Sequence, residues 1–293
     1  MLNVKLPRQF EATRLFRFIK DEFGTFDTLP DEVHFDFSEM NFVLPSGIVF
    51  LSNLTRFLAR RGCRVSFVGM DTDKSCIRYL DNSLFFQQHL HAKLLAGSAP
   101  RETTQPLIEL RHQESHAWVH QTLAPWLSEI SGVPITGLAE FQTCMSELFN
   151  NINDHSAFDV GSVYAQWYPQ RKNLQIVVAD FGQGIPTTVR RVEPQLSDNE
   201  AIIRAFDEGF SSQSTPRNRG QGLYYLRQNV LWNLGGELTV RSREGAVTFR
   251  KSGNSLTVVP YNAQGFCPGT MIEFSIMTDV IEFEDETGGE FEW

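Results

Sequence analysis

The chain is poor in cysteine: Cys63, Cys76, Cys144 and Cys267 are scattered through 293 residues with no CxxC spacing. The expectation is therefore reduced thiols in a cytoplasmic protein rather than a disulfide framework. Residues 1–30 lack an apolar signal-type core, and no hydrophobic run reaches membrane-spanning length, so neither export nor a membrane partner is expected. Positive charge is also scarce. A net charge of −9 argues against a general nucleic-acid or polyanion surface. Internal repeats are absent. The chain has length for about two domains, and 41% hydrophobic residues suffice for real cores.

Residues 33–37 alternate apolar and polar side chains as a half-buried strand does, and residues 64–69 read as a second strand. Between them Ile48, Leu51, Leu54 and Leu58 recur at helical spacing, which makes a strand–helix–strand unit. Residues 74–95 read as helix and 97–106 as a polar linker. In residues 110–130, His112, His116 and His120 stand four apart. Two histidines one turn apart can share Zn²⁺, yet no further ligand cluster completes a site, so they read as ordinary helix residues. No acidic residue follows any of them, as a histidine-kinase phosphoacceptor would normally have.

Three short patterns occupy residues 145–222. In the first, Glu147, Asn151 and His155 fall at steps of four and form one helical stripe, while Leu148 and Ile152 form a neighbouring apolar one. An amide oxygen is a hard ligand that Mg²⁺ accepts, and a carboxylate can orient or deprotonate water. In the second, the apolar run 174–179 reads as a buried strand that delivers Asp180 to its carboxyl end, with Gly182 and Gly184 just beyond and Ile185 next. An Asp there can accept from an exocyclic amine such as adenine N6. In the third, Arg219, Gly220 and Gly222 precede Leu223, Leu226, Val230 and Leu234 at helical spacing, and glycines at a helix start suit a phosphate cradle. Arg217 adds charge.

In this order the patterns resemble the N, G1 and G2 boxes of the GHKL ATPase superfamily (the Bergerat fold), most closely its anti-sigma-factor serine-kinase branch. The likeness covers about three-fifths of the chain, and Gly235-Gly236 and Gly269-Thr270 fit it too. It implies ATP and Mg²⁺ as cofactors, Glu147 as the catalytic acid and Asn151 as the Mg²⁺ ligand. It further implies Asp180 as the adenine reader, Gly182 and Gly184 as the turn beneath the base, and Gly220 and Gly222 on phosphate. His155, Ile185, Arg219, Leu223 and Thr270 line the same cavity in this reading, and residues 186–218 correspond to the family's ATP lid.

Residues 35–47 resemble the core of a STAS domain. Ser46 stands where the phosphorylated serine of an anti-anti-sigma factor stands, although Leu44-Pro45 replaces the usual Asp-Ser before it, and a helix N-cap explains Ser46 better. The expected architecture is α+β: a STAS-like α/β domain over 1–100, a helical connection over 101–136, and a GHKL α/β sandwich over 137–280 with helices on one face of a mixed sheet. An acidic tail follows over 281–293; such a tail reads first as a solvated, disordered segment, and the alternative is that its Phe283, Phe291 and Trp293 dock into a basic partner. After Gly236, strand-like stretches at 238–241, 247–250, 256–259 and 271–276 predict an antiparallel sheet with one hairpin. The function expected is a Mg-ATP-binding regulator that hydrolyses slowly and switches protein partners by lid closure. Alternatives are a serine protein kinase acting on a STAS-domain serine and a nucleotide-dependent scaffold that does not hydrolyse. Partners implied are proteins, such as a STAS-domain or sigma-factor-like regulator, or a second copy.

Overall fold

The computed structural model describes residues 1–24, 26, 28–155, 160–210 and 222–281, without the side chains of residues 12, 13, 16, 112, 151–155, 160 and 262–264. It is α+β, built in four layers. The first layer is a parallel sheet of β1 (Leu2–Lys5), β3 (Glu32–Asp36) and β5 (Arg64–Val68), in the order β1-β3-β5. A short parallel pair, β2 (Gln9–Phe10) and β4 (Phe42–Val43), stands beside it. Val33 and Phe35 are fully buried while Glu32, His34 and Asp36 are partly exposed, so one face of β3 is apolar and the other polar, as its alternation predicts.

The second layer holds α1 (Ala12–Phe23) and α2 (Pro45–Arg60). Thirteen of the sixteen residues of α2 are buried, including Ser46, Ser52, Asn53 and Thr55. A helix that is buried nearly all round has neighbours on every side. Here they are the three-stranded sheet on one side and a second, five-stranded sheet on the other. Four polar side chains of α2 reach neighbouring elements. Ser52 meets His89 Nε2 at 3.0 Å, Asn53 accepts from the Ser162 hydroxyl, and Arg56 and Arg60 both bind Glu109, Arg60 at 2.8 Å. Gly47 is required where α2 begins, since a Cβ there would lie 2.5 Å from the Phe10 carbonyl oxygen.

Ser46 is not the N-cap of α2. Leu44 holds that place, Pro45 opens the first turn, and the fully buried Ser46 hydroxyl has no hydrogen-bond partner among the described residues. Proline at the first helical position moves the boundary one residue upstream of where the serine suggests it. Residues 74–95 form two helices rather than one, α3 (Ser75–Asn82) and α4 (Phe85–Leu90), because Leu84 turns left-handed at φ 68°. That break puts Phe85 and Phe86 into the core against Phe37 and Phe67.

The third layer is a five-stranded sheet in the order β6-β7-β8-β10-β9, comprising β6 (Thr104–Arg111), β7 (Val160–Tyr168), β8 (Asn173–Asp180), β9 (Glu237–Ser252) and β10 (Ser255–Met277). All four pairings are antiparallel, so the expected mixed sheet is corrected. Residues 101–136 are more than a connection. They supply edge strand β6, then α5 (His112–Trp118), a π-helical turn Val119–Leu123 and α6 (Ala124–Ser131), whose apolar residues join the core under α7 (Ala139–His155). The four strand-like stretches after Gly236 are two long strands, β9 and β10, in one hairpin.

The fourth layer contains α5, α6 and α7 with α8 (Ile185–Val189), α9 (Asp198–Ala205) and α10 (Gly222–Gln228), which runs on into a π-helical turn Asn229–Asn233. Helices on one face were expected. The other face is covered as well, because Tyr164, Val177, Ala179, Ala246, Cys267 and Met271 share a core with α1 and α2. Phe181 seals this seam, with its ring stacked 4.9 Å from Phe57 and 6.2 Å from Phe50. Truncation of Phe57 to Ala is expected to cost about 3 kcal/mol and to lower the urea midpoint of one shared transition, since it opens a cavity between the two sheets. Separate transitions for the two sheets in that variant would contradict a common core.

Candidate functional site

Chain direction carries the end of α7 and the Asp180 turn toward one end of the five-stranded sheet. Asp180 ends β8, and Ser162 near the start of β7 pairs with Ala179 beside it. Helix α7 ends at His155, and Val160 already belongs to β7, so the last turns of α7 lie within about 17 Å of chain from that strand end. Helix α10 packs on α7. Its π-helical extension stops at Asn233, four residues before Glu237, which pairs with Ser275 at the opposite end of the sheet. Asn229 hydrogen-bonds to the Cys144 thiol in the first half of α7. The two helices therefore run antiparallel, and Gly222 at the start of α10 lies toward the half of α7 that carries Asn151.

Along α7, Phe141, Cys144, Met145, Leu148 and Phe149 are buried, so the apolar stripe faces the sheet. Glu147 is partly exposed on the adjoining stripe. Asn151 and His155 continue the same helix, but their side chains lie outside the described residues, as do Arg217, Arg219 and Gly220 entirely. Leu223, on the first turn of α10, is partly buried against the helical core.

The Asp180 turn is described in full. Its carboxylate, 8% exposed, accepts from the backbone N–H of Gly182 and of Thr270. Burial nevertheless wins over these two bonds and pushes the carboxyl up to about 6. Thr270 sits directly across from Asp180 in the β8–β10 ladder. One residue earlier Gly269, at φ 72°, leaves no room for a side chain, because a Cβ would lie 2.2 Å from the Asp180 carbonyl oxygen.

Gly184 has φ 80° and begins α8. The group nearest to a Cβ there is Ser242 Oγ at 2.7 Å, so this glycine makes room for a neighbouring strand rather than only for a ligand. Ser242 is a site residue that the sequence did not single out. Its fully buried hydroxyl accepts from the Ile185 N–H at 3.1 Å, donates to the Gly269 carbonyl at 2.6 Å, and lies 3.2 Å from Thr270 Oγ1. One hydroxyl thus ties the β8 turn to the β10 turn. A lone serine in a strand of alternating pattern carries no signal of that role.

His116 and His120 lie with ring centroids 4.2 Å apart on α5 and the turn after it. No group of three His, Cys, Asp or Glu that could hold a metal occurs among the described residues. No described helix is long and apolar enough to cross a membrane.

Residues 138–260 match the family model of histidine kinase-, DNA gyrase B- and HSP90-like ATPases. The match supports the GHKL superfamily for this domain, and with it an ATP-binding function of ATPase or kinase type. It runs from the start of α7 into the first part of β10, so it includes all three patterns and leaves Thr270 outside. No curated protein matches the chain.

The raised Asp180 carboxyl fixes a sign for stability. Its protonated form is favoured by folding, so its contribution is present at low pH and is lost as pH rises from about 4 through about 6. At pH 8 the apo protein carries a buried charge there, and Asp180→Asn is expected to raise apo stability by about 2 kcal/mol in urea unfolding. A fall in stability at that pH would mean that the two N–H bonds outweigh burial.

Proposed function

We propose that this chain binds Mg-ATP at the end of the five-stranded sheet where α7, the Asp180 turn and the start of α10 meet, hydrolyses it slowly, and uses the change to switch protein partners. The observation that carries the proposal is the buried Asp180 carboxylate at a strand end, with glycine turns on both sides of it. It is an acceptor held in place by Gly182 and Thr270, suited to the exocyclic amine of adenine. Antiparallel packing of α7 on α10 supports Asn151 as the residue that would hold Mg²⁺, with Glu147 one turn away to orient water and Gly220 and Gly222 to receive phosphate. Bound Mg²⁺ supplies neutralisation of polyphosphate charge. The chain's own groups position the base, exclude water and hold the water that attacks.

Residues 32–68, a strand–helix–strand unit, support a STAS-like reading of the N-terminal sheet. Phe181 gives that unit a line to the site, for it lies between Asp180 and Gly182 and stacks on Phe57 of α2. A kinase reading would need its acceptor elsewhere than Ser46, whose hydroxyl is fully buried.

Calorimetry with ATP and Mg²⁺, with phosphate release followed in parallel, tests the assignment. Wild type should bind. Asp180→Asn should lose at least about tenfold in affinity, consistent with one buried hydrogen bond to a charged group. Asn151→Ala should bind ATP no better with Mg²⁺ than with chelator, and Glu147→Ala should bind normally but release phosphate roughly a hundredfold more slowly. Affinity of wild type should fall as pH drops through about 6, where Asp180 takes up its proton. No heat in any variant would sink the proposal, and label transferred from ATP to protein would replace hydrolysis by phosphotransfer.

A further inference from the structure

On the outer side of α10 and its π-helical extension lies a cavity of about 610 Å³, walled by Tyr224, Tyr225, Trp232 and Asn233 and closed by Leu256 from the β9–β10 hairpin. Its polar centre is Arg227. This guanidinium is 8% exposed, faces the ring of Tyr224 at 5.3 Å and that of Phe249 at 5.9 Å, and its Nε has no hydrogen-bond partner among the described residues. The carboxylate that acts on it, Asp207, is bound to Arg204 at 3.1 Å. An almost buried cation with an unused donor, set among aromatic rings, is an incomplete site, because a buried donor without a partner costs about 1–3 kcal/mol. At the rim Lys251, directly across the hairpin from Leu256, is exposed and has no ion pair among the described residues. Tyr225 and Leu256 expose 46% and 37% of their surface there.

We propose that this cavity is the docking site for residues 282–293 of the same chain. The chemistry matches in both respects, since that stretch has six carboxylates, three aromatic rings (Phe283, Phe291 and Trp293) and no cation. Its starting point matches too. Val280 packs directly on Gly235, 2.8 Å from where a Cβ would be, and Ile281 is buried in the helical core. Gly235 follows Asn233 by two residues, so Val280, two residues before the tail, packs next to the segment that carries the Trp232 and Asn233 wall. Twelve residues reach up to about 40 Å, more than the cavity requires. In the docked state a carboxylate supplies the acceptor that Arg227 Nε lacks, a second one meets Lys251, and an aromatic ring fills the space between Tyr225 and Leu256. The inference stands on this cavity alone and holds whether or not nucleotide is hydrolysed.

A fluorescein-labelled peptide of residues 282–293, followed by anisotropy, tests it on the full-length chain. Against the chain carrying Phe283→Ser, Phe291→Ser and Trp293→Ser the peptide should bind saturably. Against wild type it should bind about tenfold or more weakly, because a tethered segment competes at an effective concentration near the millimolar range. Adding Arg227→Met to the triple-serine chain should abolish saturable binding. If that change unfolds the protein by circular dichroism, Lys251→Glu on the rim should weaken binding about tenfold and more so at low salt. Equal affinity for wild type and the triple-serine chain would overturn the intramolecular assignment in favour of an outside ligand. A wild-type dimer in sedimentation that the serine substitutions dissolve would overturn it in favour of exchange between copies. Absence of saturable binding to the triple-serine chain would remove the site.

Discussion

Helix α2 is the constraint on which the rest of the molecule depends. An amphipathic surface helix buries one stripe and leaves the other to water. This one packs a parallel sheet on one side and an antiparallel sheet on the other, so its sequence must be apolar or hydrogen-bonded over nearly the whole circumference. Ile48, Leu51, Leu54 and Leu58 provide the stripe that periodicity reveals, and Val49, Phe50 and Phe57 fill the side that would otherwise face solvent. Apart from Ser46, the buried polar residues have named partners: Thr55 Oγ1 donates to the Leu51 carbonyl at 2.8 Å, Ser52 meets His89, and Asn53 Oδ1 accepts from Ser162. Burial of this kind also explains His89, whose imidazole is pulled down to about 3, so that it serves as a neutral partner for Ser52.

Much of this was legible in the sequence where one period dominates. The strands at 33–37 and 64–69 and the helix between them have a clean pattern of spacing two or three to four, the strand at 174–179 is a continuous apolar run, and each is present. Parts set by tertiary context were not legible. Residues 104–106 read as the end of a linker because Thr104, Gln105 and Pro106 are polar or strand-breaking, yet pairing with β7 draws them into an edge strand, where proline is tolerated. The left-handed turn at Leu84 has no local signature, and it is held by the burial of Phe85 and Phe86 on the far side. Leu2–Lys5 is too short to stand out without the β3 edge it pairs with.

At the candidate site, the sequence pointed to Asp180, Gly184, Gly222 and the α7 stripe through residue type and order. What it concealed was the packing among them. Gly184 and Gly269 are dictated by each other and by Ser242, three positions far apart in the chain that meet only after β8, β9 and β10 align. Likewise Phe181 looks like an interruption in a glycine-rich turn, whereas its ring belongs to the core shared with α2. Phe181 therefore points from this turn toward the N-terminal unit, while the Asp180 carboxylate beside it is held by the Gly182 and Thr270 N–H groups.

Enclosure of α2 settles what the N-terminal unit shows to its surroundings. With its apolar flank given over to the second sheet, the outward aspect is the hydrophilic side of the parallel strands, where Asn3, Lys5, Glu32, His34 and Asp36 stand in rows. Lys5 and Lys74 help to hold Asp36 below the usual carboxylate range, after the stronger effect of its bonds from Ser38. Any molecule approaching from that direction meets a mosaic of alternating charge, and would have to recognise it by ionic pattern rather than by grease.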